Sequence, residues 1–522
     1  MSSEFPPLPQ AQRLGAQITG VALQSEAESL FTSLLGDSSA AGATVTKYAS
    51  TIVEDGDLVI EYINDHGGPP SKTTIHQWQV NSKDLMQSSP YFRALLDPSK
   101  FAEGRQFHKQ KKAFESISAS SSPDVMVTPD DEPEIPVVLI PTDESTRFVG
   151  VDAMEMFLRV LCMDSLTSEG RHSFQEELRI SSPAPIAKLI EIADRFNSPE
   201  VVRKALRSIN YRFGNKRPAF FAQFRAWDWK TMTEDRIRQY IYVSLFLTLC
   251  HCLQISSHAL VIKGSQSWVD GGPEQPASTC GRWRYLPDGV EEELYYRRQC
   301  VMNTITDLQA HFLRLYRALE DPSPPKHLYT TAPIITSSTH QIQCRGGLSN
   351  SRECDIFQLG QMIRFFSMRS KTIFLGSTLL DPEFDLETHQ DGQTNTKPPS
   401  DITGIIASLK QYPDYQIDTN HSGCGIRRRF LPALECIEKY IMDGRGLLGI
   451  NLSPVPHHQM SKEVSWSYSA STWTHEANIS HQGLAGIRHL FFSNTIPAEP
   501  PEHISDDAGR MVFSAKKRIW EA

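Results

Sequence analysis

The chain has 522 residues, a net charge of −9, 39% hydrophobic and 22% charged residues. That length excludes one ordinary domain and predicts two or three, with enough apolar material for packed cores. The acidic balance argues against a chain-wide nucleic-acid or membrane surface. The nine cysteines are irregularly spaced, and the opening MSSEFPPLPQAQRL lacks an apolar signal core. Free thiols in a reducing intracellular compartment, cytoplasmic or nuclear, are therefore expected.

Residues 1–50, rich in Ser, Ala, Gly and Gln, read as weakly ordered apart from a helix around AESLFTSLLG. DGDLVIEYI (55–63) reads as a turn and a strand, and IHQWQV (75–80) as its partner across a Gly/Pro-rich loop. In VNSKDLMQSSPYFRALL (80–96) the spacing predicts one helix that stops near Ser88 and a second that starts near Pro90. Serine is a good N-cap and proline is tolerated at the first helical position. Phe92, Leu95 and Leu96 give the second helix one apolar face. Residues 104–134 have a basic half, a Ser-rich middle and an acidic tail, and read as a disordered insertion. Within it, Ser122-Pro123 and Thr128-Pro129 suit a proline-directed kinase. IPVVLIP (135–141) predicts a short buried strand. Three helical patterns follow: Met154 to Leu161, Ile186 to Ala193, and one capped by Ser198 with Pro199 first, running to about Ile209.

From 218 to 440 the chain is helix-rich, with helical patterns at 233–262, 290–319 and 354–369 and Pro/Gly/Ser-rich breaks near 263–280, 321–339 and 387–400. The apolar run IYVSLFLTLCHCL (241–253) falls short of the roughly 20 residues of a membrane span and reads as a buried helix. The stretch 441–522, with VPHHQM and KEVSWSYSAS, is mixed.

Catalytic signatures are absent: no P-loop, GxGxxG, GxSxG, HExxH or kinase set occurs, so no enzyme and no cofactor is expected. One metal alternative stands beside this. Cys344 and Cys354 are separated by nine residues, and His421-Ser-Gly-Cys424 offers two more soft ligands with two residues between them, a donor set that suits structural zinc. The plainer reading is buried thiols and a loop histidine. Residues 195–230 carry nine Lys/Arg against two acids, and Arg212, Lys216, Arg217 and Arg225 alternate with seven aromatics, among them Tyr211, Phe213, Phe224 and Trp229. Such a stretch either contacts nucleic acid in a nuclear regulator or buries its rings at a junction while the basic stems reach outward. The second reading is favoured. Arg427, Arg428 and Arg429 read as a solvated helix start.

GDLVIEY, then WQVNSKDLMQSSPYFRALL, then FAEG resembles the BTB/POZ domain. Asp57 matches the family's strand aspartate; Lys83, Ser89 and Phe92 match its helical stretch; Phe101 and Glu103 match the Phe-x-Glu element. Ser82 stands where the family has histidine. IAKLIEIADRFNSPEVVRKAL (186–206) is similar to the terminal helical hairpin. The resemblance spans about 53–212, and the remainder is loosely similar to the helical extensions of fungal BTB proteins. It implies an α+β fold of short strands and helices over 51–212, followed by a mainly helical region. It implies a non-catalytic protein-interaction module, a homodimer, and an adaptor that contacts a cullin ubiquitin-ligase scaffold through Phe101 and Glu103. It also implies a charged pocket built from Asp57 and Lys83, for which the plainer reading is a structural salt bridge.

Overall fold

The computed structural model describes residues 45–66, 72–120, 135–140, 150–214, 221, 224–265, 268, 286–287, 289–319, 342–347, 349–370, 372, 401–450 and 513. The fold is mixed α+β, a small sheet among many helices. Four strands, β1 (Val45–Thr51), β2 (Leu58–His66), β3 (Lys72–Val80) and β4 (Val137–Leu139), lie in the order β1-β3-β2-β4. β2 and β3 form an antiparallel pair with Ile60 opposite Trp78, whereas β1 runs parallel to β3 and β4 parallel to β2. Leu58, Ile60 and Tyr62 are buried on alternate positions, as are Trp78, Val80 and Val138 on their own strands. The period of two puts them on one face, against the helices.

Two short helices follow the hairpin, α1 (Ser82–Ser88) and α2 (Pro90–Leu95). Asn81 caps the first by accepting from the amides of Lys83 and Asp84, at 2.9 and 3.2 Å. Ser89 ends one helix and caps the next: its Oγ accepts from the Phe92 amide and donates to the Phe196 carbonyl at 3.1 Å. This is the division the Ser-Pro pair predicts. Phe92 stacks on Phe196 with ring centroids 5.7 Å apart, which ties the hairpin to the later helices.

Three expectations are corrected. Within the stretch read as weakly ordered, residues 45–51 form β1, an edge strand whose pairing to β3 is non-local and leaves no local signal; the helix expected around AESLFTSLLG lies outside the described residues. The first half of the expected disordered insertion is helix α3 (Ala102–Ser120). Its composition is charged, but Phe107 is buried and Lys111 reaches back to the sheet, so two tertiary anchors hold a polar helix. The rest of that insertion, with Ser122 and Thr128, lies outside the described residues. After β4, four helices follow instead of three: α4 (Val151–Leu161), α5 (Ser168–Ile180), α6 (Pro183–Arg195) and α7 (Pro199–Ser208). Only Phe174 and Leu178 of α5 are buried, too thin a stripe to register as a pattern.

The C-terminal part is helical over its described residues: α8 (Ala226–Lys230), α9 (Glu234–Leu247), α10 (Cys250–Lys263), α11 (Val290–Leu315), α12 (Ser351–Arg364) running into a π turn at Phe365–Arg369, α13 (Ile402–Lys410) and α14 (Arg427–Ile441). The apolar run at 241–253 is mostly buried, with Thr248 and His251 exposed, and it is not one helix. Thr248 sits at φ 57° and ends α9, and α10 packs back on it. α9 also packs on α6, and Arg203 Nε donates to the Phe246 carbonyl at 3.1 Å, so one apolar core continues from the sheet into the helical part. No helix among the described residues is long and apolar enough to cross a membrane. Of the 441–522 tail, residues through Ile450 are described, with Phe513 packed on Tyr440; VPHHQM and KEVSWSYSAS lie outside.

Candidate functional site

Asp57 is paired, but with a different cation from the one expected. Asp57 Oδ1 accepts from the Ser82 amide and Oδ2 from the Ser82 hydroxyl, both at 2.7 Å, and Lys111 Nζ stands 2.6 Å from Oδ2. Lys83 is exposed two residues past the Asn81 cap, on the solvent side of α1. The expected Asp57–Lys83 pair is thus corrected to Asp57–Lys111, and Ser82 is a direct ligand of the carboxylate. Burial pushes the Asp57 carboxyl up, but the bonds from Lys111 and Ser82 outweigh it and hold it below the ordinary range.

Phe101 lies just before α3 and is 48% exposed, and Glu103 is half-buried in the first turn of that helix. A glycine closes this element for a steric reason. A Cβ on Gly104 would lie 2.4 Å from the Asp97 carbonyl oxygen, so the 97–100 turn folds directly onto the helix start.

Among the described rings of the basic, aromatic stretch, none is exposed. Tyr211, Phe213, Phe221, Phe224 and Trp229 are all buried, and Phe213, Phe221 and Trp229 surround Tyr240 of α9. Among the described rings there is no exposed stack for bases to lie on. Lys216, Arg217 and Phe220 lie outside the described residues. Arg427–Arg429 do begin α14, but Arg427 donates to the Tyr412 carbonyl and Arg429 to Gln343, so the start is tied down rather than solvated. A surface depression of about 440 Å³ is lined by Glu200, Arg203, Lys204, Arg207 and Ser208, with no nucleophile–base pair in it.

The four soft ligands do converge. The Sγ atoms of Cys344, Cys354 and Cys424 and a ring nitrogen of His421 all lie within 4.8 Å of one another. Cys344 Sγ is 3.7 Å from Cys424 Sγ and 3.2 Å from His421 Nδ1, and Cys424 Sγ is 3.9 Å from the same nitrogen. Each comes from a separate piece of backbone. Cys344 sits in the 342–347 loop, Cys354 in the first turn of α12, His421 in the short 3₁₀ turn Thr419–His421, and Cys424 in the turn leading to α14. Gly423 at φ 71° makes the His-x-x-Cys reversal without strain. Cys354, Cys424 and His421 are buried and Cys344 is half-buried. The three thiols are not paired in a disulfide.

Electrostatics set the thiols apart. Burial raises the Cys344 thiol, but bonds from Ser351, the Gly346 amide, Cys424 and His421 bring it down to about 7. Burial and the neighbouring sulfurs push Cys354 up to about 12. His421 Nε2 faces Asn350 Oδ1 at 2.9 Å, and Asn350 Nδ2 donates to Asp418 at 3.3 Å. Sequence reasoning names all four ligands but misses Asn350 and Asp418; the signal open to it is Asn350 as the residue opening the helix that carries Cys354.

No family model, curated protein or solved structure matches the chain.

Proposed function

We propose that the chain is a protein-interaction adaptor or scaffold of the BTB/POZ type, and that it works by binding rather than by catalysis. The observation that carries this reading is Phe101: a large aromatic, 48% exposed, with Glu103 nearby, set at a tight turn that follows the α1–α2 pair. This is where the BTB resemblance puts the partner-contacting element. An exposed aromatic on a firm base fills a partner's pocket at little cost in ordering, and an adjacent carboxylate adds orientation. The element order fits the same reading: a strand hairpin, two short helices split at Ser89, a further strand, then helices.

Self-association has a matching surface. β1 is an edge strand of the sheet, with Lys47 to Thr51 exposed and no described strand on its outer side. Such an edge offers unpaired backbone groups to a second copy.

The test is a pull-down of cullin-family scaffolds with the full chain beside Phe101→Ala/Glu103→Lys, with circular dichroism showing that the variant folds. Capture by the parent chain and loss in the folded variant supports the adaptor role. Absence of cullin from both samples removes that role, and light scattering then decides whether the chain self-associates.

A further inference from the structure

We propose that Cys344, Cys354, Cys424 and His421 bind one structural zinc ion, which clamps the loop before α12 to the turn before α14. The donor set is three thiolates and one imidazole, the closed four-ligand shell typical of structural zinc. The spacings among Cys344, Cys424 and His421 fit a tetrahedral ion, and Cys354 Sγ lies within 4.8 Å of all three. Two sulfurs each about 2.3 Å from a shared centre stand about 3.8 Å apart, and a sulfur and an imidazole nitrogen about 3.5 Å apart. The structure has 3.7 Å between Cys344 and Cys424, and 3.2 and 3.9 Å from these sulfurs to His421 Nδ1.

The surroundings are those of a ligand shell. The Asn350 carbonyl oxygen accepts from Nε2, which fixes the proton there and leaves the Nδ1 lone pair facing the sulfurs. The Gly346 amide donates to Cys344 Sγ at 3.4 Å, as amides do to thiolates. Cys354 and His421 are fully buried. Three bare thiols packed around an imidazole there would bring little burial gain beyond ordinary side chains, whereas one divalent cation satisfies all four donors. The ion's role is mechanical. Cys344 and Cys424 are 80 residues apart in sequence, and zinc closes that loop. With four protein ligands and no open position, the site does no hydrolytic chemistry.

The full chain is expressed with zinc in the medium, purified under reducing conditions without chelator, and its metal measured by mass spectrometry. The expected result is about one zinc per chain, released when the thiols are titrated with a mercurial. Cobalt(II) put in its place gives intense visible bands of a tetrahedral ion and a near-ultraviolet thiolate-to-cobalt band. Cys354→Ser and His421→Ala lower the zinc content. Because they risk unfolding the chain, Asn350→Ala is the milder probe: it keeps all four ligands and weakens zinc affinity about 10- to 100-fold. The proposal is overturned if the folded parent chain holds neither zinc nor cobalt, or if cobalt binds without the thiolate band. A disulfide between two of the three cysteines in freshly reduced protein overturns it as well. None of these results depends on whether the chain binds a cullin.

Discussion

Lys111 Nζ stands 2.6 Å from Asp57 Oδ2, joining a helix to the start of a strand 54 residues earlier. Both side chains are about 30% exposed, so the ion pair itself is screened and worth at most about 1 kcal/mol. The carboxylate matters more, because it also holds the Ser82 amide and hydroxyl. Lys111→Met is expected to cost about 1 kcal/mol, and Asp57→Ala about 2–3 kcal/mol, since a buried serine then loses its partner. Lys83→Met is expected to be neutral. Urea denaturation of the three variants checks the order, and an equal loss at Lys83 and Lys111 would contradict it.

His258 gives the fold a pH dependence with a definite sign. It is fully buried on α10; Nδ1 accepts from the Leu448 amide at 3.0 Å and Nε2 faces the Ile441 carbonyl at 2.9 Å, so a neutral ring satisfies both. Burial lowers its pKa to about 4, against the pull of the Ile441 carbonyl and Asp443 and with the push of Arg297. The folded value lies below the unfolded one, so this stability is fully present above pH 6.5 and is lost as pH falls toward 4. A shift of that size amounts to roughly 3 kcal/mol. Melting curves from pH 7 to pH 4.5 are expected to fall more steeply for the parent than for His258→Gln. Parallel curves would show that the ring carries no such linkage.

How much of this was legible follows from how local each cause is. The α1–α2 break is written in adjacent residues, because a serine cap and a proline act within one turn. The Cys344, Cys354, His421 and Cys424 set was legible as a donor list, but its convergence was not, since loop and turn meet only in the tertiary fold, where Phe366 of the π turn after α12 packs on Phe430 of α14. Lys111 as the partner of Asp57 was hidden for the same reason: it lies on a helix whose charge pattern, taken alone, signals disorder. The break at Thr248 had no local sign, since threonine rarely takes a left-handed conformation and here the packing of α9 on α10 imposes it.

Arg238, 1% exposed, organises a buried polar cluster between α9 and α11. It bonds Glu234 at 2.7 Å, both oxygens of Glu291 at 2.7 Å and the Ser265 hydroxyl at 2.6 Å. Glu234 and Glu291 are 23% and 29% exposed, so water takes up part of the loss, and Arg238→Ala is expected to cost about 2–3 kcal/mol. Replacing the arginine and one acid together, as Arg238→Met/Glu291→Gln, is expected to recover part of that loss. A double-mutant cycle by denaturation measures the coupling, and strict additivity would mean that the groups act independently.

The strap at 444–450 depends on a close backbone approach. A Cβ on Gly449 would lie 1.8 Å from the Gln254 carbonyl oxygen of α10, a contact no side chain tolerates. Around it, the Phe224 amide donates to the Gly444 carbonyl at 2.6 Å, the Ile450 amide donates to the Ser257 hydroxyl at 2.8 Å, and the Arg297 guanidinium donates to the Leu448 and Gly449 carbonyls. Gly449→Ala must push the strap off the helix and loosen several of these bonds together, so it is expected to cost more than about 3 kcal/mol, far beyond an ordinary surface change. Amide exchange is the direct readout. In the variant, Leu448 and Ile450 should lose protection first, while the sheet around Ile60 keeps its own. Uniform loss across both regions would mean that the strap and the sheet unfold as one unit, not that the strap opens locally.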